Sequence, residues 1–163
     1  MYDITKINDI VNSLIYDRAQ ADVDYALTLE RESVHTDDDL KGAYNVSDRN
    51  RVGGAVNYIA DLMRVIDIFA KADWNVNSIA RVRDNANTIK CLNRLKTVLP
   101  VDFAAPVDLD KLSFQKANDV EHMLYKMYGM YMLVNSFFVG DGYASDFDAP
   151  DMQVFDDNWN FNF

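Results

Sequence analysis

Apolar residues recur along the first 99 positions mostly at intervals of three and four, the period of one helical face. The strongest helix breaker is missing there, because Pro100, Pro106 and Pro150 all lie further on. Ile4, Ile7, Val11 and Leu14 form a narrow stripe that predicts a short lead helix. Residues 17–33, rich in Ala, Leu, Gln and Glu/Arg, predict a second helix that buries Val23, Ala26 and Leu27. Thr36, followed by three aspartates, reads as an N-cap with negative charge at the positive end of a helical turn. After a loop over 41–45, Ser47 is placed to cap a helix starting at Asp48, in which Val52, Val56, Ile59, Met63, Ile66 and Ala70 keep a 4, 3 rhythm. Asn77 is placed to cap another, from 78 to about 99, with Val82, Ala86, Ile89, Leu92 and Leu95 turned inward and Pro100 as its stop.

Residues 101–112 read as a connecting loop, and Ser113 as the cap of the longest helix, whose inner positions are Ala117, Val120, Leu124, Met127, Tyr131, Val134 and Phe138. Met123, Tyr125, Tyr128, Met130 and Met132 make its other face apolar too. Such a helix takes either the central position in a bundle or a second partner from another subunit, which marks Tyr125, Tyr128 and Met132 as an intersubunit face. From Gly140 the helical period is lost, and 159–163 alternate with a period of two. The expected fold is all-α: a small bundle of about four main helices plus a short N-terminal helix over 1–138, with an extended C-terminal arm over 139–163.

The chain has 163 residues, 49% of them apolar or aromatic, which suits one domain with a single core. Gly53-Gly54 interrupts the helix after Ser47 at a cost of about 1 kcal/mol per glycine, so a close approach of another helix is expected there. The glycine spacing of a phosphate-binding loop is absent. Cys91 is the one cysteine and His35 and His122 the two imidazoles, so neither an intrachain disulfide nor a Cys/His zinc site is expected. His122 lies beside the apolar stripe of the last helix and reads as structural, His35 lies at a helix end, and Cys91 is mid-helix. The run from Asp141 to Asp148 does not meet the ligand spacing of a calcium loop. The expectation is no catalytic residue, no metal site and no cofactor.

The net charge of −10 is unevenly spread. No Lys or Arg follows Lys126, and six aspartates (Asp141, Asp146, Asp148, Asp151, Asp156 and Asp157) fall after Val139. An acidic whole surface disfavours non-specific nucleic-acid binding. Arg81, Arg83, Lys90, Arg94 and Lys96 nevertheless cluster in the segment expected to be the 78–99 helix, whose only acid is Asp84. They suit a solvated face, a face for phosphates, or the docking face for an acidic arm from a neighbouring subunit. In the third case Phe147, Phe155, Asp156, Asp157, Trp159, Phe161 and Phe163 are the assembly arm, with rings as anchors and charges as steering. The start shows no basic segment followed by an apolar one, which suggests synthesis in a cytoplasm. The greasiest window, 124–139, contains Lys126 and is too short for a membrane span.

Three stretches carry a family resemblance. They are Asp17-Arg18-Ala19-Gln20-Ala21-Asp22-Val23-Asp24; then Lys41-Gly42-Ala43-Tyr44-Asn45 with Asp48, Asn50-Arg51-Val52-Gly53 and Tyr58-Ile59-Ala60; then Leu112-Ser113-Phe114 with Ala117-Asn118-Asp119-Val120-Glu121. In this order and spacing, over about 17–138, the chain resembles structural proteins encoded in the tail modules of bacteriophages and prophages of Gram-positive bacteria. Tyr16 stands where that family often has a capping Thr, and Arg49 where Leu is usual. The resemblance implies a non-enzymatic virion component of the tail, baseplate or connector, made in the host bacterial cytoplasm. Its partners would be other phage structural proteins and further copies of itself. The alternative is a DNA-facing connector or DNA-packaging accessory that uses the basic helix around 81–96.

Overall fold

The computed structural model describes residues 9–30, 35–36, 39–99, 101–102, 104–109 and 111–139. It is all-helical, with no strand among the described residues: a helical turn at 9–12 precedes α1 (Gln20–Thr28), α2 (Val46–Leu62), α3 (Val82–Val98) and α4 (Phe114–Val139). Of the arm expected over 139–163, Val139 is the last residue of α4 and 140–163 lie outside the described residues, as do Ile4, Ile7 and the side chain of Phe138. Helix α2 packs against both α3 and α4. Their shared core is Val52, Ala55, Val56 and Ile59 from α2, Leu92 and Leu95 from α3, and Val120, Met123, Leu124 and Met127 from α4, sealed by Val11 and Leu14 from the lead segment. Burying each large side chain contributes about 1.5–3 kcal/mol.

The helix starts share one device. Asp22, Asp48 and Asp84 each sit at the third helical position and accept the N–H of their own N-cap residue, Ala19 at 2.7 Å, Asn45 at 2.7 Å and Arg81 at 2.9 Å. Each carboxylate satisfies a donor the helix leaves over and places negative charge at the positive end. Thr36 and Asp39 exchange the same reciprocal bonds in the turn before Lys41, as the capping expectation had it. Ser113 Oγ accepts the Lys116 N–H at 3.3 Å and caps α4.

Three helices begin or end away from the expected places, and α1 spans Gln20–Thr28 where 17–33 is expected. At the start of α2 the cap is Asn45, not Ser47: its Oδ1 accepts the N–H groups of Ser47 and Asp48, while the Ser47 hydroxyl is itself a donor to that oxygen. Helix α2 also stops eight residues short of Ala70. Arg64 adopts a left-handed φ of 53°; its N–H bonds the Asp61 carbonyl and the Val65 N–H the Ala60 carbonyl, the double closure of a Schellman end without its usual glycine. Ile66 therefore leaves the core and is 98% exposed. Helix α3 starts at Val82, because Asn75, Asn77 and Ser78 are spent on a local turn in which Ser78 Oγ accepts the Asn75 N–H. Asn77 caps nothing, and Val82 and Ala86 are exposed, not inward.

The connection from α2 to α3 doubles back along α2. Asn57 accepts the Ala70 N–H at 2.7 Å and donates to its carbonyl at 2.8 Å. Asn50 does the same for Trp74, at 2.7 and 2.9 Å. Gly53 lies between them on the same face, and a Cβ there would stand 2.2 Å from the Lys71 carbonyl oxygen. The close approach expected at the glycine pair is thus made by this strap and not by a helix, and Gly54 faces open space. Ala70 is fully buried, but as part of the strap and not of α2.

Helix α1 lies on the surface, with no buried residue; Val23 and Ala26 are half-buried and Leu27 is exposed. Gly42 lets its backbone approach, since a Cβ there would meet the Asp22 carbonyl at 2.0 Å, and Lys41 pairs with Asp17 at 3.0 Å. In α4 the apolar circumference has a simpler outcome than a central helix. Met123, expected on the outer face, is fully buried with the inner stripe, whereas Leu133, Val134, Asn135 and Ser136 are all exposed. Val134 is therefore not an inner position.

Candidate functional site

Where α2, α4 and the lead segment meet, four charged side chains share one site. Arg18 Nη2 donates to Asp48 Oδ1 and to Glu121 Oε1, each at 2.8 Å. Arg51 Nε donates to Glu121 Oε2 at 2.9 Å, and Arg51 Nη2 donates to Asp48. The Ile15 N–H adds a bond to Glu121 at 2.7 Å, and Arg18 Nε reaches the Lys41 carbonyl at 3.0 Å. Arg18, Asp48 and Glu121 are buried. Asn118 grips the backbone of Arg18 through both its N–H and its carbonyl, at 3.1 and 2.8 Å, as Asn50 and Asn57 grip the strap.

Two positive and two negative groups cancel here, and both carboxylates accept several bonds. Burial by itself lowers the Arg51 pKa, but the bond to Glu121 and the charges of Glu121 and Asp48 outweigh it and hold the guanidinium charged. The arrangement clamps three segments together, and its groups are engaged with one another. Among the described residues no group of three or more His, Cys, Asp or Glu could hold a metal ion. Beside the cluster, cations and rings alternate: Arg18 over Tyr44, Arg49 over both Tyr44 and Trp74, and Lys71 over Trp74, at 4.7 to 5.8 Å. Burial, together with the Glu121 and Asp48 charges, pushes the Tyr44 phenol far up. Tyr16 stacks on His122 and also contacts Tyr125, both at 5.1 Å.

The outward chemistry lies elsewhere. Ile66, Phe69, Val76 and Ile79 on the strap connection and Val82 at the start of α3 are large apolar side chains left exposed. The connection itself touches α3 at two points: Asn87 donates to the Phe69 backbone carbonyl at 2.8 Å, and Arg94 pairs with Asp67 at 3.0 Å. Arg83, Lys90 and Arg94, at spacings of seven and four, share the exposed face of α3 with Asn87. Arg81 is the N-cap residue, exposed but outside the helix, and Lys96 is half-buried around the circumference from the other three.

Of the residues expected at an intersubunit face, Tyr125 is half-buried against Tyr16, Tyr128 lies 6.3 Å from Tyr58, and Met132 is half-buried. The arm residues Phe147, Phe155, Asp156, Asp157, Trp159, Phe161 and Phe163 lie outside the described residues. The buried charge cluster escaped sequence reading, although Glu121 stands on the stripe of Ala117 and Leu124, where a carboxylate needs buried partners. The exposed apolar set escaped it because Ile66 and Val82 keep the helical spacing of core residues. No helix among the described residues is long and apolar enough to cross a membrane. No protein-family model, curated protein or solved structure matches the chain.

Proposed function

We propose that the chain is a non-enzymatic structural subunit of a bacteriophage particle, present in several copies and making protein–protein contacts in the tail, baseplate or connector. The observation that carries the contact role is the exposed set Ile66, Phe69, Val76, Ile79 and Val82, large apolar side chains on one connection and the helix that follows it. Five large apolar side chains left exposed within 17 residues are what a covering partner would bury. The phage assignment is supported by the resemblance over 17–138. Its three stretches contain Arg18, Tyr44, Asp48, Arg51, Asn118 and Glu121, so the resemblance runs through the residues that build the buried clamp and speaks for a common scaffold. Electron microscopy of particles produced by the strain that carries this gene, with the subunit gold-labelled, tests the reading. Label at one fixed location on the particle is expected; particles without label overturn it.

A DNA-facing role has one observation in its favour, the exposed Arg83 and Lys90 on a face of α3 without a carboxylate. Phosphate contact predicts affinity for duplex DNA that falls steeply with log[salt]. Binding that is absent at low salt excludes it.

A further inference from the structure

We infer that residues 147–163 of one copy dock on the exposed face of α3 in a second copy, with aromatic rings against Ile66, Phe69 and Val82 and aspartates opposite Arg83 and Lys90. The inference rests on the reading that the chain works in several copies. The 24 residues after Val139 contain six aspartates, six aromatic residues and no Lys or Arg. A site for them must offer apolar surface and positive charge together. The exposed positions of α3 (Val82, Arg83, Ala86, Asn87, Lys90, Asn93, Arg94 and Thr97) include three cations and no carboxylate. Asp84, the one acid of this helix, accepts the Arg81 N–H and stands 3.9 Å from Arg83, while Arg94 is engaged by Asp67. Among the described residues Lys90 pairs with no carboxylate and Arg83 only with Asp84 at that long distance, so these two supply the docking charges, and Asn87 between them holds the Phe69 carbonyl of the strap. The exposed apolar pair on α1, Tyr25 and Leu27, is set instead among Asp22, Asp24 and Asp39, which repel an acidic segment.

Helix α4 carries the root of the segment away from its own core. Its last fully buried residue is Met127, and it continues to Val139, about 18 Å further at 1.5 Å per residue. Four successive exposed residues, 133–136, cover every side of one helical turn, so α4 stands clear of the other described residues there and carries the root of the segment outward. A segment that leaves one body and binds a different surface of the next makes a heterologous contact, which builds rings or filaments.

Two full-length variants test this by sedimentation equilibrium. One is Trp159→Ala/Phe161→Ala/Phe163→Ala, which keeps the face; the other is Arg83→Glu/Lys90→Glu, which keeps the segment. Wild type is expected to self-associate, each variant alone to associate at least tenfold more weakly, and their equimolar mixture to form a heterodimer. Circular dichroism of both is expected to keep the wild-type helix content and melting midpoint. A peptide of residues 141–163 is expected to compete the wild-type assembly apart. The inference is overturned by wild type that stays monomeric, by variants that associate like wild type, or by a mixture without heterodimer, the result for a segment folded onto its own body. Label on particles together with a monomeric mixture sinks the inference and leaves the functional reading standing; a heterodimer together with unlabelled particles does the reverse.

Discussion

Gly53 and Gly54 are neighbours in α2 under opposite constraints. A methyl group at Gly53 meets the Lys71 carbonyl at 2.2 Å, a backbone atom held in place by the Asn50 and Asn57 clamps, whereas at Gly54 it meets nothing. Gly53→Ala is therefore expected to destabilise the fold by about 2 kcal/mol or more, within the range for overpacking. Gly54→Ala is expected to stabilise it by about 0.5–1 kcal/mol through helix propensity. Urea unfolding of the two variants checks the pair, and equal effects of the same sign refute it. That a close approach exists at this pair follows from glycine's cost in a helix; which of the two serves it, and that a strap makes the approach, depends on where α2 stops.

His122 gives a pH dependence with a definite sign. Burial, followed by the charge of Lys126, lowers its pKa below the ordinary 6.5, against a smaller opposing effect of Asp119. The folded state then binds fewer protons than the unfolded chain in that window, so this contribution is complete above about pH 6.5 and is lost as pH falls through the folded value. The urea midpoint is expected to drop between pH 7.5 and 5.5, and to drop less in His122→Phe, which keeps a ring against Tyr16. Parallel pH profiles for the two proteins contradict this. Reading His122 as structural agrees with its stack on Tyr16, a contact invisible from a sequence separation of 106 residues.

At the scale of elements, helices α2, α3 and α4 were legible because their core positions keep the helical period and because Ser113 sits where a cap belongs. The ends were less legible. A Schellman closure built on Arg64 has no glycine to announce it, and the apolar rhythm running on through Ile66 and Ala70 mimics a longer helix. The three asparagine clamps were not legible at all, since an asparagine that grips a distant residue's backbone has the same local signature as one facing water.

The buried charge cluster joins the elements, and its members come from positions 18, 48, 51 and 121. Glu121→Gln keeps the shape but leaves two guanidiniums short of a negative partner, and breaking a buried pair in this way costs about 3–5 kcal/mol. A chemical unfolding midpoint reduced to match is the expected result. A loss under about 1 kcal/mol indicates that the cluster does not hold the elements together.

Taken as a whole molecule, the chain divides its chemistry by location. The described body neutralises its buried charges in pairs, leaves an apolar and basic surface on the α3 side, and extends α4 outward. The acid excess of the net −10 lies largely beyond α4. Composition alone made that excess legible, and the spacing of Arg83, Lys90 and Arg94 suggested a common face. The apolar side of the same face was not legible, because exposure of Phe69 and Val82 is decided by where the strap runs. On the function proposed above, this body is a repeated building block of a phage particle. Quantitative mass spectrometry of gradient-purified particles decides this: several copies of the chain per particle in a constant ratio to the other structural proteins are expected, and its absence from purified particles, or a trace amount that varies between preparations, refutes it.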